Sequence, residues 1–228
     1  MTKTLPFRLA AKCAPFRENL ERVMACGYHA VELYLTEEHL EDPVAIAALC
    51  RRFPLEYALH SPNLAFNPQP LELLARETGA SVVVFHPFLW DDEWAKLFEI
   101  FKGAKARICI ENITSVHEPI RFVRRYNAGV CLDMEHAQME TVGSHEDVYR
   151  FALKYAAHVH LTGYEPGSEK WHTPLHHSPD HSARLLDIIL ESGYKGLVVN
   201  EADTRYQNTE ELTESAKFFA KWRSGKGL

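Results

Sequence analysis

The sequence predicts a single (β/α)₈ barrel, the TIM-barrel architecture, formed as one domain by residues 1–228. Eight strand-like apolar runs alternate with helix-like segments, and the length of 228 residues suits one such barrel. Seven of the strands carry a carboxylate or an imidazole near the C-terminal end, at positions 22 to 41 residues apart. Parallel strands bring these ends together at one face, where barrel enzymes build their sites.

The predicted strands are rich in apolar and β-branched residues, which is typical of parallel strands buried on both faces. They lie near residues 7–13, 29–35, 55–62, 81–87, 107–113, 128–134, 157–163 and 196–202. Alternation of strands with helices also fits an open, doubly wound sheet. Functional groups after nearly every strand favour the barrel, because an open sheet concentrates its site at one switch point.

The predicted helices show apolar residues at helical spacing between the strands. The first ends at Gly27, a residue type favoured just past a helix end. The second begins with Asp42 as its N-cap and Pro43 in its first turn. The remaining helices are expected near residues 68–80, 91–105, 117–126, 144–157, 182–194 and 208–222.

Composition indicates an ordinary globular protein with a net charge of −6 and a sequence pI near 6.1. A negative net charge does not attract nucleic acid or an anionic membrane. Metal ions in a site would still supply local positive charge for a nucleic-acid substrate. No apolar run is long enough to predict a membrane span or a signal peptide. The five cysteines form no C-x-x-C pair, which predicts a reducing, cytoplasmic location.

Four residues near the ends of strands five to eight are candidate metal ligands: Glu111, Asp133, His160 and Glu201. Three carboxylates and one imidazole form a hard, oxygen-rich set that suits Mn²⁺, Mg²⁺, Co²⁺ or Zn²⁺. Buried carboxylates so close together would repel one another and take up protons unless a cation lay between them. The sequence therefore predicts at least one divalent ion bound by this metal tetrad.

His60 and His86 end strands three and four, beside the strand that carries Glu111. They are candidates for binding a second ion, with Glu111 as the bridging carboxylate. A role in hydrogen bonding to substrate hydroxyls is an equal alternative, and a structural role is the third.

Four further residues are candidates for contact with a substrate. His136 follows Asp133 by three residues and is expected on a loop above the metal, and His172 lies on the loop after strand seven. Glu32 ends strand two and is expected at the rim or in the lumen rather than as a metal ligand, with Lys12 as its candidate partner. Trp90 lies near the rim, where its ring would stack on a sugar.

The segments ICIEN, CLDMEH, HVHLT, HTPL and VVNEA resemble the xylose isomerase-like barrel superfamily, and the resemblance covers essentially the whole chain. That superfamily includes sugar isomerases, sugar 3-epimerases, inosose dehydratases and the endonuclease IV family. In its isomerase and epimerase branch, the resemblance implies a metal tetrad at Glu111, Asp133, His160 and Glu201. It also implies that the two glutamates transfer protons and that His136 touches the substrate.

The endonuclease IV branch holds a cluster of three zinc ions, and its pattern has counterparts in His60, His86, His136 and His172. This chain departs from that pattern at two positions. Lys170 stands where that family has an aspartate, which would remove a carboxylate from the third zinc. Asn63 stands where that family has a tyrosine that acts on the opened DNA.

These features lead to the expectation of a metal-dependent isomerase or epimerase acting on a small carbohydrate-like molecule. Glu111 and Glu201 would remove and return a proton while the ion stabilises an enediolate. The first alternative is a metal-dependent phosphodiesterase of the endonuclease IV kind, with two or three ions. The second alternative is a barrel that binds metal without catalysis.

Overall fold

Eight parallel strands close into a barrel in the computed structural model, which describes residues 5–63, 66–139, 145–164 and 167–228. Each strand pairs with its neighbours in sequence, and the last strand pairs with the first. The predicted fold class, a single (β/α)₈ barrel, is confirmed. The strands are β1 Arg8–Cys13, β2 Ala30–Tyr34, β3 Glu56–His60, β4 Val82–Phe85, β5 Arg107–Glu111, β6 Gly129–Asp133, β7 Ala156–Leu161 and β8 Leu197–Asn200.

Helices follow the strands around the outside of the barrel. They are α1 Arg17–Ala25, α2 Pro43–Cys50, α3 Pro68–Thr78, α4 Asp91–Ile100, α5 Ile120–Tyr126, α6 Met134–Met139, α7 His145–Ala152, α8 Pro179–Glu191 and α9 Thr209–Gly225. Short 3₁₀ turns are Glu38–Glu41, Phe101–Gly103, Leu175–His177 and Thr204–Tyr206. Within the described residues, none of these helices is long and apolar enough to span a membrane.

Two residues that the sequence marks as helix boundaries, Asp42 and Gly27, have the predicted roles. The Asp42 side chain accepts a hydrogen bond from the backbone N–H of Ala45 at 2.9 Å, so it caps α2. Gly27 follows α1 with φ of +85°, a conformation that glycine adopts without steric cost. The caps explain why these helices begin and end where the sequence indicates.

Helix α6 corrects one expectation, because His136 lies on this short helix rather than on a loop. The helix begins directly after β6, and Oδ1 of Asp133 accepts a hydrogen bond from the backbone N–H of His136 at 2.8 Å. An aspartate at this position satisfies a free N–H at the helix start. The predicted metal ligand Asp133 therefore also caps the helix that carries His136.

The barrel has two apolar regions that differ in side-chain size. Large residues such as Trp94, Phe85 and Leu132 fill the space between the strands and the helices. Small side chains fill the lumen, among them Ala10, Ala30, Ala58, Cys109, Cys131 and Val199. An eight-stranded barrel encloses only enough space for packed side chains, so its lumen is a core rather than a pore. All five cysteines are free and buried.

Candidate metal centre at the barrel mouth

The four residues of the predicted metal tetrad converge at the C-terminal mouth of the barrel. Glu111 and Asp133 are the last residues of β5 and β6, His160 lies in β7, and Glu201 directly follows β8. Their ligand atoms lie within 4.8 Å of one another. Asp133 pairs with His160 in the strand register, which places both side chains at the same height. The fold thus brings together all four side chains.

Three atoms of the tetrad are buried polar atoms without a hydrogen-bond partner among the described residues. They are Oδ2 of Asp133, Nδ1 of His160 and Oε2 of Glu201. The His160 and Glu201 atoms are 2.7 Å apart, at ion-pair distance, and Oδ2 of Asp133 is 3.3 Å from Nδ1 of His136. Buried polar atoms are normally satisfied. Two carboxylate oxygens and an imidazole nitrogen therefore converge without hydrogen bonds. These atoms fit the ligand set of a divalent cation.

Glu111 lies at the centre of a group of histidines. Its Oε2 is 3.1 Å from Nε2 of His60 and 3.3 Å from Nε2 of His86. Its Oε1 is 3.3 Å from Nδ1 of His136. These contacts join the tetrad to the ends of β3 and β4, where His60, His86 and Glu111 form a second group of three ligand atoms within 4.8 Å.

The orientation of His60 favours a cation between this ring and Glu111. Nδ1 of His60 lies 3.0 Å from the backbone carbonyl oxygen of Ser61, which places a proton on that nitrogen. Burial lowers the pKa of His60, so the ring is held neutral. Its Nε2 lone pair then faces a carboxylate oxygen, and two acceptors in contact call for a proton or a metal ion between them.

Glu32 lies in the lumen below the metal tetrad and is completely buried. Its Oε2 is 2.8 Å from Nε2 of His158 and 3.1 Å from Nε2 of His160. Its Oε1 is 3.1 Å from Nζ of Lys12. Because Glu32 engages Nε2 of His160, it leaves Nδ1 of that ring directed at the tetrad. A carboxylate behind a ligating histidine is the usual arrangement in metal sites.

Lys12 supplies a positive charge inside the barrel. Its ammonium contacts Glu201 Oε1 as well as Glu32. Burial opposes the charge, but the attraction of Glu201, Glu32 and Glu111 raises the pKa of Lys12 above its ordinary value. Burial favours the protonated form of Glu201, but His160 and Lys12 hold the pKa of this carboxyl well below its usual range. Glu201 is therefore an ionised carboxylate with one oxygen bound to Lys12.

Asp133 and His160 both have raised pKa values, so both favour a bound proton when no cation is present. Burial and the charges of Glu201 and Glu111 raise the pKa of Asp133 well above its ordinary value, against the opposing effect of His136. Burial disfavours a charged His160, but Cys131 and the carboxylates of Glu201 and Glu32 outweigh it and raise the pKa of that imidazole. A metal ion entering the site has to displace these protons, so metal binding is coupled to proton release.

His136 and His172 face each other above the tetrad, with ring centroids 6.1 Å apart. Burial opposes protonation of His136, but the carboxylates of Glu111 and Asp133 raise its pKa to about 9. His172 has φ of +47°, a left-handed conformation that is uncommon for a residue other than glycine. The buried Glu135 carboxylate stabilises it by accepting from the backbone N–H of His172 at 3.1 Å.

A cavity of about 560 Å³ opens above these residues, and its walls include Lys12, Tyr34, His60, His86, His136 and His172. Glu111 and Glu201 also reach it. Two residues predicted to contact substrate lie elsewhere. Glu32 is buried beneath the cavity, and Trp90 stands 78% exposed at the start of α4, outside the described residues that form the walls.

Sequence reasoning assigned no role in the site to His158 or Glu135, and it named Lys12 only as a partner for Glu32. A signal for two of them is the two-residue period of a strand, since residues i and i+2 face the same side. His158 precedes His160 by two positions, and Lys12 follows the lumenal Ala10 by two. Glu135 is on α6, and only the tertiary structure brings it to the backbone of His172.

Comparison with known proteins places this geometry in a family. A family model described as xylose isomerase-like TIM barrel matches residues 20–222. A protein of Methanocaldococcus jannaschii described as uncharacterized, MJ1188, is 24% identical, and the alignment covers 75% of this chain and 76% of that protein.

Among solved structures, a D-allulose 3-epimerase from Methylomonas sp. superposes with a TM-score of 0.66 at 14% identity and covers 98% of this chain and 100% of its own. An L-ribulose 3-epimerase superposes with a TM-score of 0.63 at 14% identity, covering 96% of this chain and 95% of its own. At these identities the likeness is one of fold. The family model covers most of the chain, and the protein belongs to the xylose isomerase-like TIM barrel family.

Proposed function

We propose that this protein is a divalent-metal-dependent isomerase or epimerase of a small carbohydrate-like substrate, acting by proton transfer next to a carbonyl group. Glu111, Asp133, His160 and Glu201 would hold the ion. When bound, the cation would polarise neighbouring carbonyl and hydroxyl oxygens of the substrate and stabilise their developing negative charge. The similarity in fold to 3-epimerases for D-allulose and L-ribulose supports this class of substrate.

The single observation that carries the proposal is a set of buried ligand atoms without hydrogen bonds, which converge beneath an open cavity. Asp133, His160 and Glu201 each direct a buried, unsatisfied atom to one point. The cavity above them, about 560 Å³, accommodates a molecule the size of a monosaccharide. Lys12, Glu111 and Glu201 are among the residues that line it, which suits a substrate with several hydroxyl groups.

Two carboxylates at the cavity floor are the proposed proton carriers, Glu111 and Glu201. One would accept a proton from the carbon beside the carbonyl, and the other would return a proton to the opposite side. A positioned acid or base contributes about 10²–10⁴-fold in rate. Glu201 remains ionised through its pairing with Lys12, so it is ready to accept a proton, although its lowered pKa makes it a weak base.

The histidines above the floor would bind the substrate. His136 is protonated at neutral pH in the metal-free protein, because its pKa is about 9, and it would donate a hydrogen bond to a substrate oxygen. His172 stands opposite and narrows the cavity. Both rings are therefore placed to fix the sugar hydroxyl groups relative to the carboxylates.

Solvent deuterium exchange tests the proposal directly. The protein, loaded with Mn²⁺ and mixed in D₂O with a panel that includes D-allulose and L-ribulose, should place deuterium on the carbon beside the carbonyl of at least one sugar. Glu201→Gln should lower the exchange rate by at least about 10²-fold, because the amide cannot accept the proton. Metal content of the variant, measured separately, shows whether the ion is still bound.

The control is Glu210→Gln, an exposed glutamate at the start of α9, which should exchange at the wild-type rate. The proposal fails if the metal-loaded protein exchanges deuterium into no ketose or aldose of the panel. It also fails in its assignment of Glu201 if the Gln variant keeps both its metal and the wild-type rate.

A second candidate function is a metal-dependent phosphodiesterase of the endonuclease IV kind. The observation in its favour is the second ligand group, His60, His86 and Glu111, which shares a carboxylate with the tetrad. Two ions held by ligand groups that share a carboxylate would activate water and stabilise a leaving oxygen. Lys170 and Asn63 count against it, since both differ from that branch. Metal-dependent cleavage of DNA with an abasic site, without exchange on any sugar, would support this candidate instead.

A further inference from the structure

A second cluster of metal-ligating side chains lies away from the residues that form the cavity described above. His176 and His177 belong to the 3₁₀ turn Leu175–His177 in the connection between β7 and α8, and Glu211 lies in the first turn of α9. Nε2 of His177 is 2.9 Å and Nε2 of His176 is 3.2 Å from the same oxygen, Oε2 of Glu211. All three ligand atoms lie within 4.8 Å of one another.

We propose that His176, His177 and Glu211 form a peripheral binding site for a divalent transition-metal ion, with Zn²⁺ as the best-suited cation. Two imidazoles and one carboxylate suit Zn²⁺, Co²⁺, Ni²⁺ or Cu²⁺ rather than Mg²⁺ or Ca²⁺, which prefer oxygen atoms. Three protein ligands leave the fourth tetrahedral position for water. This site is independent of the proposed function at the barrel mouth.

The two nitrogen-to-oxygen distances in the cluster are close to those of a tetrahedral zinc site. Ligands at about 2.0–2.2 Å from a tetrahedral zinc lie about 3.3–3.5 Å from one another. The distances from the two imidazole nitrogens to Oε2 of Glu211, 3.2 and 2.9 Å, are shorter than this by only a few tenths of an ångström. A small outward shift of Glu211 would therefore bring both nitrogen-to-oxygen distances into the range of a zinc site.

Neighbouring side chains hold the cluster in place. Nδ1 of His176 is 3.1 Å from the hydroxyl of Ser215, and Ser215 is completely buried one turn along α9 from Glu211. Such a partner fixes the ring so that Nε2 faces the ligand position. The ring of Tyr206 meets His177 edge-on with centroids 5.4 Å apart. The side chains of His176, His177 and Glu211 are only 24, 33 and 22% exposed.

The neutral form of His176 is the form that binds a metal. Burial and the neighbouring His177 lower the pKa of His176, against the opposing effect of Glu211. Binding at this site would join the connection between β7 and α8 to the C-terminal helix α9. That connection also carries His172 over the cavity, so the ion would fix the position of one wall of the mouth.

Counting bound zinc tests the inference. Wild-type protein dialysed against Zn²⁺ and analysed for metal should hold one ion per chain more than the double variant H176A/H177A. E211Q should lose the same ion, because its amide carries no charge to hold the cation. His29→Ala removes an exposed histidine at the start of β2 and is the matched control, which should keep the wild-type number of ions.

Two further measurements separate this site from the mouth. Asp133→Asn, which is expected to lose the ion of the tetrad, should keep the peripheral ion. Anomalous diffraction from zinc-soaked crystals should give a peak bounded by His176, His177 and Glu211. Equal zinc content in wild type and in folded H176A/H177A, or a peak at the mouth with none at Glu211, would overturn the inference.

Discussion

At the scale of single residues, Lys12 places a fixed positive charge beside the metal tetrad. Its ammonium contacts one oxygen of Glu201 and lies 3.1 Å from Glu32. The lumen therefore contains a fixed cation that offsets two of its carboxylates. Because Lys12 engages Oε1 of Glu201, only Oε2 of that residue is directed at the other members of the tetrad. Lys12 thereby determines which oxygen of Glu201 meets an ion.

Replacing Lys12 with methionine should destabilise the metal-free protein by about 3–5 kcal/mol, because it leaves buried carboxylates without their cation. Added Mn²⁺ should recover part of this loss, since the ion replaces the missing charge. Chemical denaturation with and without Mn²⁺ measures both effects.

The matched control is Lys96→Met, which removes an exposed ion pair with Asp92 and should change the free energy of unfolding by less than about 1 kcal/mol. Equal stability of the metal-free Lys12→Met protein and the wild type would show that the lumenal charges do not depend on this lysine.

At the scale of elements, the connection between β7 and α8 depends on a close approach of two backbone segments. The backbone N–H of Gly163 donates to the carbonyl of Thr173 at 2.7 Å. A Cβ atom at Gly163 would lie 2.0 Å from the carbonyl oxygen of Pro174, which is far inside van der Waals contact. Glycine is therefore required at residue 163 for the connection to pack against the end of β7 and to hold His172 over the cavity.

Substitution of Gly163 by alanine should destabilise the protein by about 1–3 kcal/mol or displace the connection, because the backbone of Pro174 has to move. Gly103→Ala is the control: a Cβ there meets nothing within 4 Å among the described residues, and its φ lies outside the left-handed region. That variant should stay within about 0.5 kcal/mol of the wild type. Thermal unfolding of both variants measures the difference, and equal effects would contradict the close approach.

At the scale of the whole molecule, the barrel gathers its ionisable groups into its upper lumen while its lower lumen is apolar. Lys12, Glu32, Glu111, Asp133, His158 and His160 are all buried there. In the metal-free protein the negative charge of the carboxylates is offset by Lys12 and by protons on Asp133 and His160, whose pKa values are raised. A bound cation would replace those protons, so occupancy of the mouth should control the stability of the entire fold.

Removal of metal should therefore lower the melting temperature. A ligand at 100 times its dissociation constant stabilises the native state by about 2.7 kcal/mol. For a chain of this size, that corresponds to about 5–10 °C in melting temperature. Scanning calorimetry of chelator-treated protein, with and without Mn²⁺ at that excess, measures the shift.

Asp133→Asn should abolish the Mn²⁺-dependent shift and retain less metal by elemental analysis. Asp180→Asn, at an exposed position in the first turn of α8, is the control and should keep the shift. A Mn²⁺-dependent shift of the same size in Asp133→Asn would mean that the ion binds elsewhere.

Much of the fold could be predicted from the sequence because its signals are local. A few neighbouring residues are enough to set an apolar run, the Asp42 cap or the glycine at residue 27. The structure confirms the barrel, the Asp42 cap and the glycine that follows α1. Helix α6 is the exception. It arises because the Asp133 carboxylate, which the sequence marks as a ligand, also satisfies a backbone N–H. The hydrophobic pattern of the sequence does not show that the Asp133 side chain also caps a helix.

The placement of the four tetrad residues at one mouth also followed from the sequence. Each of them ends or follows a parallel strand, and closure of the barrel brings those ends together. The sequence left open which face of each strand turns inward and how far each side chain reaches. Trp90, predicted near the rim, lies on no strand and stands exposed at the start of α4.

The sequence by itself determined the eightfold repeat and the side chains that end its strands, since both depend on short-range periodicity. The tertiary structure alone decided that Lys12 neutralises Glu201, that Glu32 orients His160, and that Glu211 meets His176 and His177. These pairs lie 34 to 189 residues apart in the chain. Their contacts depend on strand register and helix packing, and these are set by the closure of the whole barrel rather than by any local segment.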